Sequence, residues 1–246
     1  MNDIKEKLKR GDDVYGTWCV LPSPEVINVI SKSGLDFVII DMEHGPMDYK
    51  TAQQMVMSAH SEKVNAIIRT PRNDESNILR SLDIGSDGII IPHVKNRDDI
   101  IKCINYSKYS PIGERGYTPY TRSGGYSFNK KYTIKENEKS FIGVIIEDKE
   151  GLDNIDDIIN NEHIDMVYIG TYDISASMGC SVKDKKVLNQ IEICVDKIKS
   201  AGKSAGCLFH DEVELKYFKN MGINFLVYIV DSSILYNGFS QIKQWR

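Results

Sequence analysis

The chain has 246 residues, 41% of them hydrophobic and 27% charged, with a net charge of −4. That is the size of one α/β barrel and the balance of a soluble globular protein, so residues 1–246 are expected to form a single domain. The mild acidity excludes the basic footprint of phosphate recognition, and hence a nucleic-acid partner.

Five scattered cysteines, none in a CxxC spacing, argue against a zinc site or a disulfide framework and for reduced thiols in the cytoplasm. Residues 1–13 are charged and lack the apolar centre of a signal peptide. No run of about 20 apolar residues spans a bilayer, so no membrane partner is expected.

In chain order, runs rich in Ile, Val, Leu and Phe predict strands over residues 14–21, 36–41, 65–69, 88–92, 142–147, 166–170, 204–209 and 225–230. Most are nearly continuous instead of alternating, as in parallel strands covered on both faces. Helical spacing lies between them, over residues 24–33, 49–61, 75–84, 97–106, 152–160, 186–200, 212–220 and 232–243. Pro24 suits a first helical turn, and Gly34, Gly85, Gly202 and Gly222 follow helix ends where a positive φ is useful.

Eight strands alternating with eight helices predict a (β/α)8 TIM barrel over the alternative of an open doubly wound sheet. The absence of GxGxxG after the first strand and of GxxxxGK[ST] removes the main nucleotide motifs of that alternative. The fourth and fifth strands are joined by a long connection carrying Ser110-Pro-Ile-Gly-Glu-Arg-Gly116 and a Tyr-, Arg- and Gly-rich stretch at 117–126. Such a stretch is expected to be an ordered active-site segment.

Barrel enzymes carry their reactive groups just beyond the C-terminal strand ends. Those positions hold Asp41, Glu43 and His44, then Arg69, then His93, Glu147 and Asp148, the turn Gly170-Thr-Tyr-Asp173, His210 and Asp231. Glu147 and Asp173 can share a hard divalent cation from adjacent strands, or be a surface acid and the cap of the turn 174–177. Arg69 suits a carboxylate or a developing enolate oxygen, or a structural ion pair with one of these acids. Asp41 and His44 suit an acid-oriented general base, with Glu43 as the other available partner. The turn at 170–177 offers backbone N–H groups to an anion.

Together these residues resemble the HpcH/HpaI aldolase family of class II pyruvate aldolases. The resemblance rests on Phe37-Val-Ile-Ile-Asp-Met-Glu-His44, Ile67-Ile-Arg69, Leu82-Asp-Ile-Gly85, Ile91-Pro92, Gly113-Glu-Arg-Gly116, Ile145-Ile-Glu147 and Ile169-Gly-Thr-Tyr-Asp-Ile-Ser-Ala-Ser-Met-Gly179. It implies a carbon–carbon lyase that joins or cleaves pyruvate and an aldehyde through a 4-hydroxy-2-oxo acid. It implies Mg²⁺, Mn²⁺ or Co²⁺ on Glu147 and Asp173, Arg69 on the keto-acid oxygens, and the substrate carboxylate on the amides of Gly170, Thr171, Tyr172 and Asp173. Asp41 and His44 match the acid/base dyad, Trp18 a pocket-lining tryptophan, and Asp83 a residue reaching an adjoining site. A homo-oligomer is also implied, a hexamer or trimer of dimers, whose C-terminal helix packs on a neighbouring subunit.

Three features depart from the family. Ile145 stands where many members have a glutamine, Gly-Thr-Tyr-Asp replaces the commoner Gly-Pro-x-Asp, and the 117–126 stretch is not matched to a characterised member. The alternatives are a metal-dependent decarboxylase, a lyase acting on a CoA thioester, with Arg115 and Arg122 the loop cations available to its phosphates, or a non-catalytic binding barrel. A Schiff-base route needs a lysine at a strand's C-terminal end, and neither Lys203, which begins a strand, nor Lys95 fits.

Overall fold

The computed structural model describes residues 4–127 and 131–245. The apolar runs form eight parallel strands: β1 (Val14–Cys19), β2 (Phe37–Asp41), β3 (Asn65–Arg69), β4 (Gly88–Ile91), β5 (Phe141–Ile146), β6 (Met166–Ile169), β7 (Ser204–Phe209) and β8 (Phe225–Val230). Each pairs with its sequence neighbour and β8 returns to β1, closing a (β/α)8 barrel without a free edge.

Around it lie α1 (Ile4–Lys9), α2 (Pro24–Ser31), α3 (Tyr49–Ser61), α4 (Glu75–Asp83), α5 (Arg97–Ser107), α6 (Tyr132–Lys139), α7 (Lys149–Asp153), α8 (Ile155–Ile159), α9 (Thr171–Ser177), α10 (Lys185–Ser200), α11 (Glu212–Met221) and α12 (Asp231–Ser240). Several helices begin at an acid or amide that accepts a first-turn N–H, as Asp48, Asp74, Asn96 and Asp211 do. Gly222, at φ +97°, ends α11. Among the described residues no helix is long and apolar enough to cross a membrane.

The barrel interior is filled by side chains. Phe37, Phe141 and Phe225 stack at its N-terminal end, with centroids 4.2 and 5.7 Å from Phe225. A Cβ at Gly16 would fall 2.2 Å from the Phe37 ring, so only glycine fits beside this layer. The helix α1 closes the same end through buried Ile4 and Leu8. That helix was not expected, because two apolar residues in a charged stretch give too little periodicity to read.

Three acids immediately before β2, β4 and β6 lock this end. Asp36, Asp87 and Asp165 accept the N–H groups of Tyr15, Ala66 and Ile142 in the preceding strands at 2.9, 2.9 and 2.8 Å. At the other end Asp231 accepts from Val20 and Leu21 at 3.1 and 3.2 Å, tying the end of β8 to the continuation of β1. This strand-end acid is a structural clamp.

The long connection corrects an expectation. Arg115, its side chain fully buried, donates to Asp83 at the C-terminus of α4 at 2.8 Å, and its guanidinium lies over Tyr109. Arg122 packs on Gly85 and donates to His60 Nδ1 at 3.3 Å, while His60 Nε2 meets Asp87 at 2.8 Å. Residues 117–126 therefore sit on the N-terminal rim, the opposite end of this barrel from its C-terminal strand ends. The cause is charge pairing: the loop's arginines find their partners where α3 and α4 end.

Candidate active site

Strand register brings Asp41 and Arg69 together, since they are direct partners at the ends of β2 and β3. Arg69 Nε donates to Asp41 Oδ1 at 2.8 Å and Nη2 donates to Oδ2. The guanidinium lies 4.6 Å over the Trp18 ring, whose Nε1–H donates to Tyr168 Oη at 3.0 Å. Burial works against the charged form of Arg69. The Asp41 hydrogen bonds and the charges of Asp41 and Glu43 overcome it and hold the group above its ordinary pKa. Arg69 is thus a fixed cation at the barrel mouth.

The same carboxylate organises the following turn. Asp41 Oδ1 accepts the backbone N–H groups of Glu43 and His44 at 3.1 and 3.2 Å, and Gly45 N–H returns to Asp41 O at 3.0 Å. The expected Asp41–His44 dyad is therefore altered. Asp41 holds the main chain of His44, and its side-chain oxygens are committed to Arg69 by register. The His44 imidazole is 69% exposed at the cavity mouth, with Nε2 3.9 Å from Glu43.

Glu147 follows β5 and is largely buried. Its Oε1 accepts from His93 N at 2.7 Å and meets His93 Nδ1 at 2.6 Å, while His93 Nε2 lies 2.8 Å from Glu43. His93 stands at φ +57°, a strained setting for a non-glycine residue that turns its ring between the two acids. Burial raises the Glu147 pKa. His93 opposes this, and the charges of Glu43 and Asp173 add to it.

Asp173 lies in the first turn of α9, whose N-cap is Gly170, so it does not cap a turn of its own. Gly170 has a steric role: a Cβ there would meet Glu147 Cβ at 2.8 Å. Its own N–H is taken by Ile146 O at 2.9 Å, so it is not available to a substrate carboxylate as expected. No side chain caps the first turn of α9, which lines the cavity through Thr171, Tyr172 and Asp173.

Asp41, His44, Arg69, Glu147 and residues 170–173 share one cavity of about 270 Å³, with Trp18 and Tyr168 also on its walls. Ile145 and Leu208 give it apolar surface. A wider depression of about 700 Å³ lies outside the barrel between α8 and α10, lined by solvated side chains such as Asp156, Glu162 and Asp196. It has no comparable convergence of buried charge.

The donors suit a hard divalent cation. Among the described residues no three His, Cys, Asp or Glu side chains form a ready-made metal cluster. A two-carboxylate site with the remaining positions left to water and substrate does not require one. Glu43 Oε2 is buried and makes no hydrogen bond of normal geometry, although Arg69 Nη1 lies 3.0 Å away. The four acids Asp41, Glu43, Glu147 and Asp173 are met here by Arg69 and His93, which leaves this wall with negative charge that a cation would offset.

No lysine lines the cavity among the described residues; Lys95 is paired outside it with Asp148 at 2.7 Å. Sequence reasoning gave no role to His93, to Tyr168, or to the partnership of His210 with Tyr172 and Glu214. Only the position of His93 and His210 at strand ends signalled them.

The family model for HpcH/HpaI aldolase/citrate lyase matches residues 15–237. A pyruvate aldolase from Rhizobium etli is 30% identical over 240 residues, covering 97% of this chain and 94% of that protein. A 4-hydroxy-2-oxo-heptane-1,7-dioate aldolase from Shigella flexneri is 30% identical over 237 residues, covering 95% and 89%. The solved structure of the citrate synthase SbnG superposes with a TM-score of 0.90 at 29% identity, over 98% of this chain and 96% of that one. With the match running from the first strand into the last helix, the chain belongs to the HpcH/HpaI aldolase/citrate lyase family of carbon–carbon lyases.

Proposed function

We propose that the chain is a metal-dependent class II aldolase that cleaves a 4-hydroxy-2-oxo acid to pyruvate and an aldehyde, and joins them in reverse. The observation that carries this reading is the convergence of Glu147, Asp173 and the Asp41-held Arg69 on one cavity. Glu147 and Asp173 would hold Mg²⁺, Mn²⁺ or Co²⁺. Such a cation supplies Lewis acidity that makes the C3 proton of a 2-keto acid more acidic.

The chain's own residues do the rest. Arg69 faces the keto oxygen as a preorganised positive partner for the charge that develops there. Asp41 is its positioning residue and also fixes the turn carrying His44. The first-turn amides of Thr171, Tyr172 and Asp173 receive the substrate carboxylate, and Trp18 supports Arg69 from below. In cleavage the C3–C4 bond breaks, its electron pair moves onto the keto acid as the enolate, the C4 hydroxyl proton passes to His44, which stands open to water, and the enolate takes a proton at C3 from water to leave as pyruvate. The CoA-thioester reading draws no support from Arg115 and Arg122, which are committed at the opposite rim.

The active form is proposed to be a homo-oligomer, a hexamer or trimer of dimers, in which α12 packs on a neighbour. Exposed Tyr236, Phe239 and Trp245 support this. Five free cysteines suit a cytoplasmic setting.

The test is pyruvate release from a panel of 4-hydroxy-2-oxo acids. Activity is expected to vanish on exhaustive chelation and to return with a divalent cation. Activity that survives EDTA overturns the mechanism, as does borohydride trapping of the enzyme with pyruvate. Glu147→Gln should abolish cation binding while the circular dichroism of the barrel is retained.

A further inference from the structure

Beside the keto-acid groups lies a second polar chain. Tyr172 lines the cavity and is 53% exposed, and its hydroxyl lies 2.6 Å from His210 Nε2. His210 Nδ1 lies 2.8 Å from Glu214 Oε2, which also accepts the His210 backbone N–H at 2.9 Å. Glu214 is held in turn, its own N–H donating to the N-cap Asp211 at 2.9 Å. The two rings meet edge-on, with centroids 5.9 Å apart.

The Glu214 carboxylate fixes the direction of the hydrogen bond at the far side of the His210 ring. A carboxylate only accepts, so His210 Nδ1 carries the proton it donates to Glu214. With the ring in its neutral form, Nε2 is an acceptor and the Tyr172 O–H donates to it. The phenolic hydrogen is then used up, and the oxygen is left with acceptor capacity alone.

We propose that Tyr172, oriented by His210 and Glu214, is a specificity-determining residue that accepts a hydrogen bond from a hydroxyl on the aldehyde partner. The inference rests on the aldolase reading above. Glu147, Asp173 and Arg69 take the keto acid, so the aldehyde occupies the remaining cavity beside it. The lining left to it combines apolar Val20, Leu208 and Val230 with His44, which serves the C4 hydroxyl, with Thr171 and Tyr168, and with the Tyr172 oxygen. An alkyl aldehyde offers only a carbonyl, which accepts, and so gains nothing at this point. A hydroxyaldehyde supplies the missing donor. A site built around a substrate hydroxyl discriminates against the analogue that lacks it.

The experiment compares glycolaldehyde with acetaldehyde as partners of pyruvate, and separately follows exchange of the pyruvate C3 protons with solvent deuterium, which needs no aldehyde. The parent enzyme should favour glycolaldehyde. In Tyr172→Phe the ratio of the two kcat/KM values should fall by about tenfold, as expected for one neutral hydrogen bond, and because the ratio is read within one variant any change in keto-acid binding at the Tyr172 main chain cancels from it. His210→Phe, which keeps the edge-on ring but frees the phenol to rotate, should lower the ratio by less. A ratio unchanged in Tyr172→Phe with exchange persisting overturns the proposal, as does a parent enzyme that does not prefer the hydroxylated partner. Absence of exchange in the parent brings down the aldolase reading and this proposal with it.

Discussion

At the scale of single residues, Arg69 illustrates how register does chemical work. Its partner Asp41 takes two of its donors in a paired geometry that lysine cannot reproduce. Arg69→Lys is expected to lower kcat by about 10² to 10³, the usual cost of losing a preorganised donor at a developing oxyanion. Steady-state kinetics with saturating cation checks it, and a rate within a few-fold of the parent would remove Arg69 from the mechanism.

Lys108 shows the same logic far from the site. It is 1% exposed, and its Nζ meets Asn137 O, Ser140 O and Ser140 Oγ at 2.9, 3.0 and 2.8 Å. The amine donates to each of these three oxygens. Burial, reinforced by Lys5, lowers its pKa from 10.5 to about 7. Between those values the unfolded chain binds a proton that the folded chain does not, so this group's contribution to stability rises with pH across that window. Below about 7 both states are charged and the contribution is flat. Urea unfolding between pH 7 and 9.5 should show a steeper rise in the parent than in Lys108→Met, and parallel slopes would contradict the assignment.

At the scale of elements, the strands were legible because burial on both faces makes each of them a dense apolar run. Strand-end residues followed from that, and so Asp41, Arg69, Glu147 and Asp173 could be named before any coordinates. Their partners could not. Sequence spacing suggested that Asp41 serves the His44 ring. Register instead opposes Asp41 to Arg69, and register is a property of two strands at once. The helix expected at 152–160 divides at Asn154 into α7 and α8. Arg122 in the 117–126 stretch and Arg115 before it were read as loop cations available to a substrate's phosphates, because composition says nothing about which rim a loop reaches.

Gly170 is the element-scale counterpart, where the end of β6 must pass close to Glu147. Gly170→Ala is expected to displace that carboxylate and weaken cation binding on the order of tenfold, with the fold retained. Calorimetric titration with Mn²⁺ measures it, and parent-like affinity would show that the close approach is unimportant.

At the scale of the whole molecule, the two ends of the barrel are divided by task. The N-terminal end is locked by Asp36, Asp87 and Asp165 and plugged by α1, while the C-terminal end gathers the charged groups of the cavity. The outer apolar residues of α12 and the turn after it serve neither end. Phe239→Asp combined with Trp245→Ser should shift the protein to smaller species in sedimentation velocity. An unchanged distribution would show that α12 is not an assembly surface.

The central claim is that Glu147 and Asp173 hold a divalent cation next to the keto-acid position. Electron paramagnetic resonance of Mn²⁺ added to chelator-stripped enzyme tests it most directly. The account predicts Mn²⁺ bound by the parent, a spectrum that changes when pyruvate is added, and no binding by Glu147→Gln. Mn²⁺ that stays free, or that binds without responding to pyruvate, would contradict it.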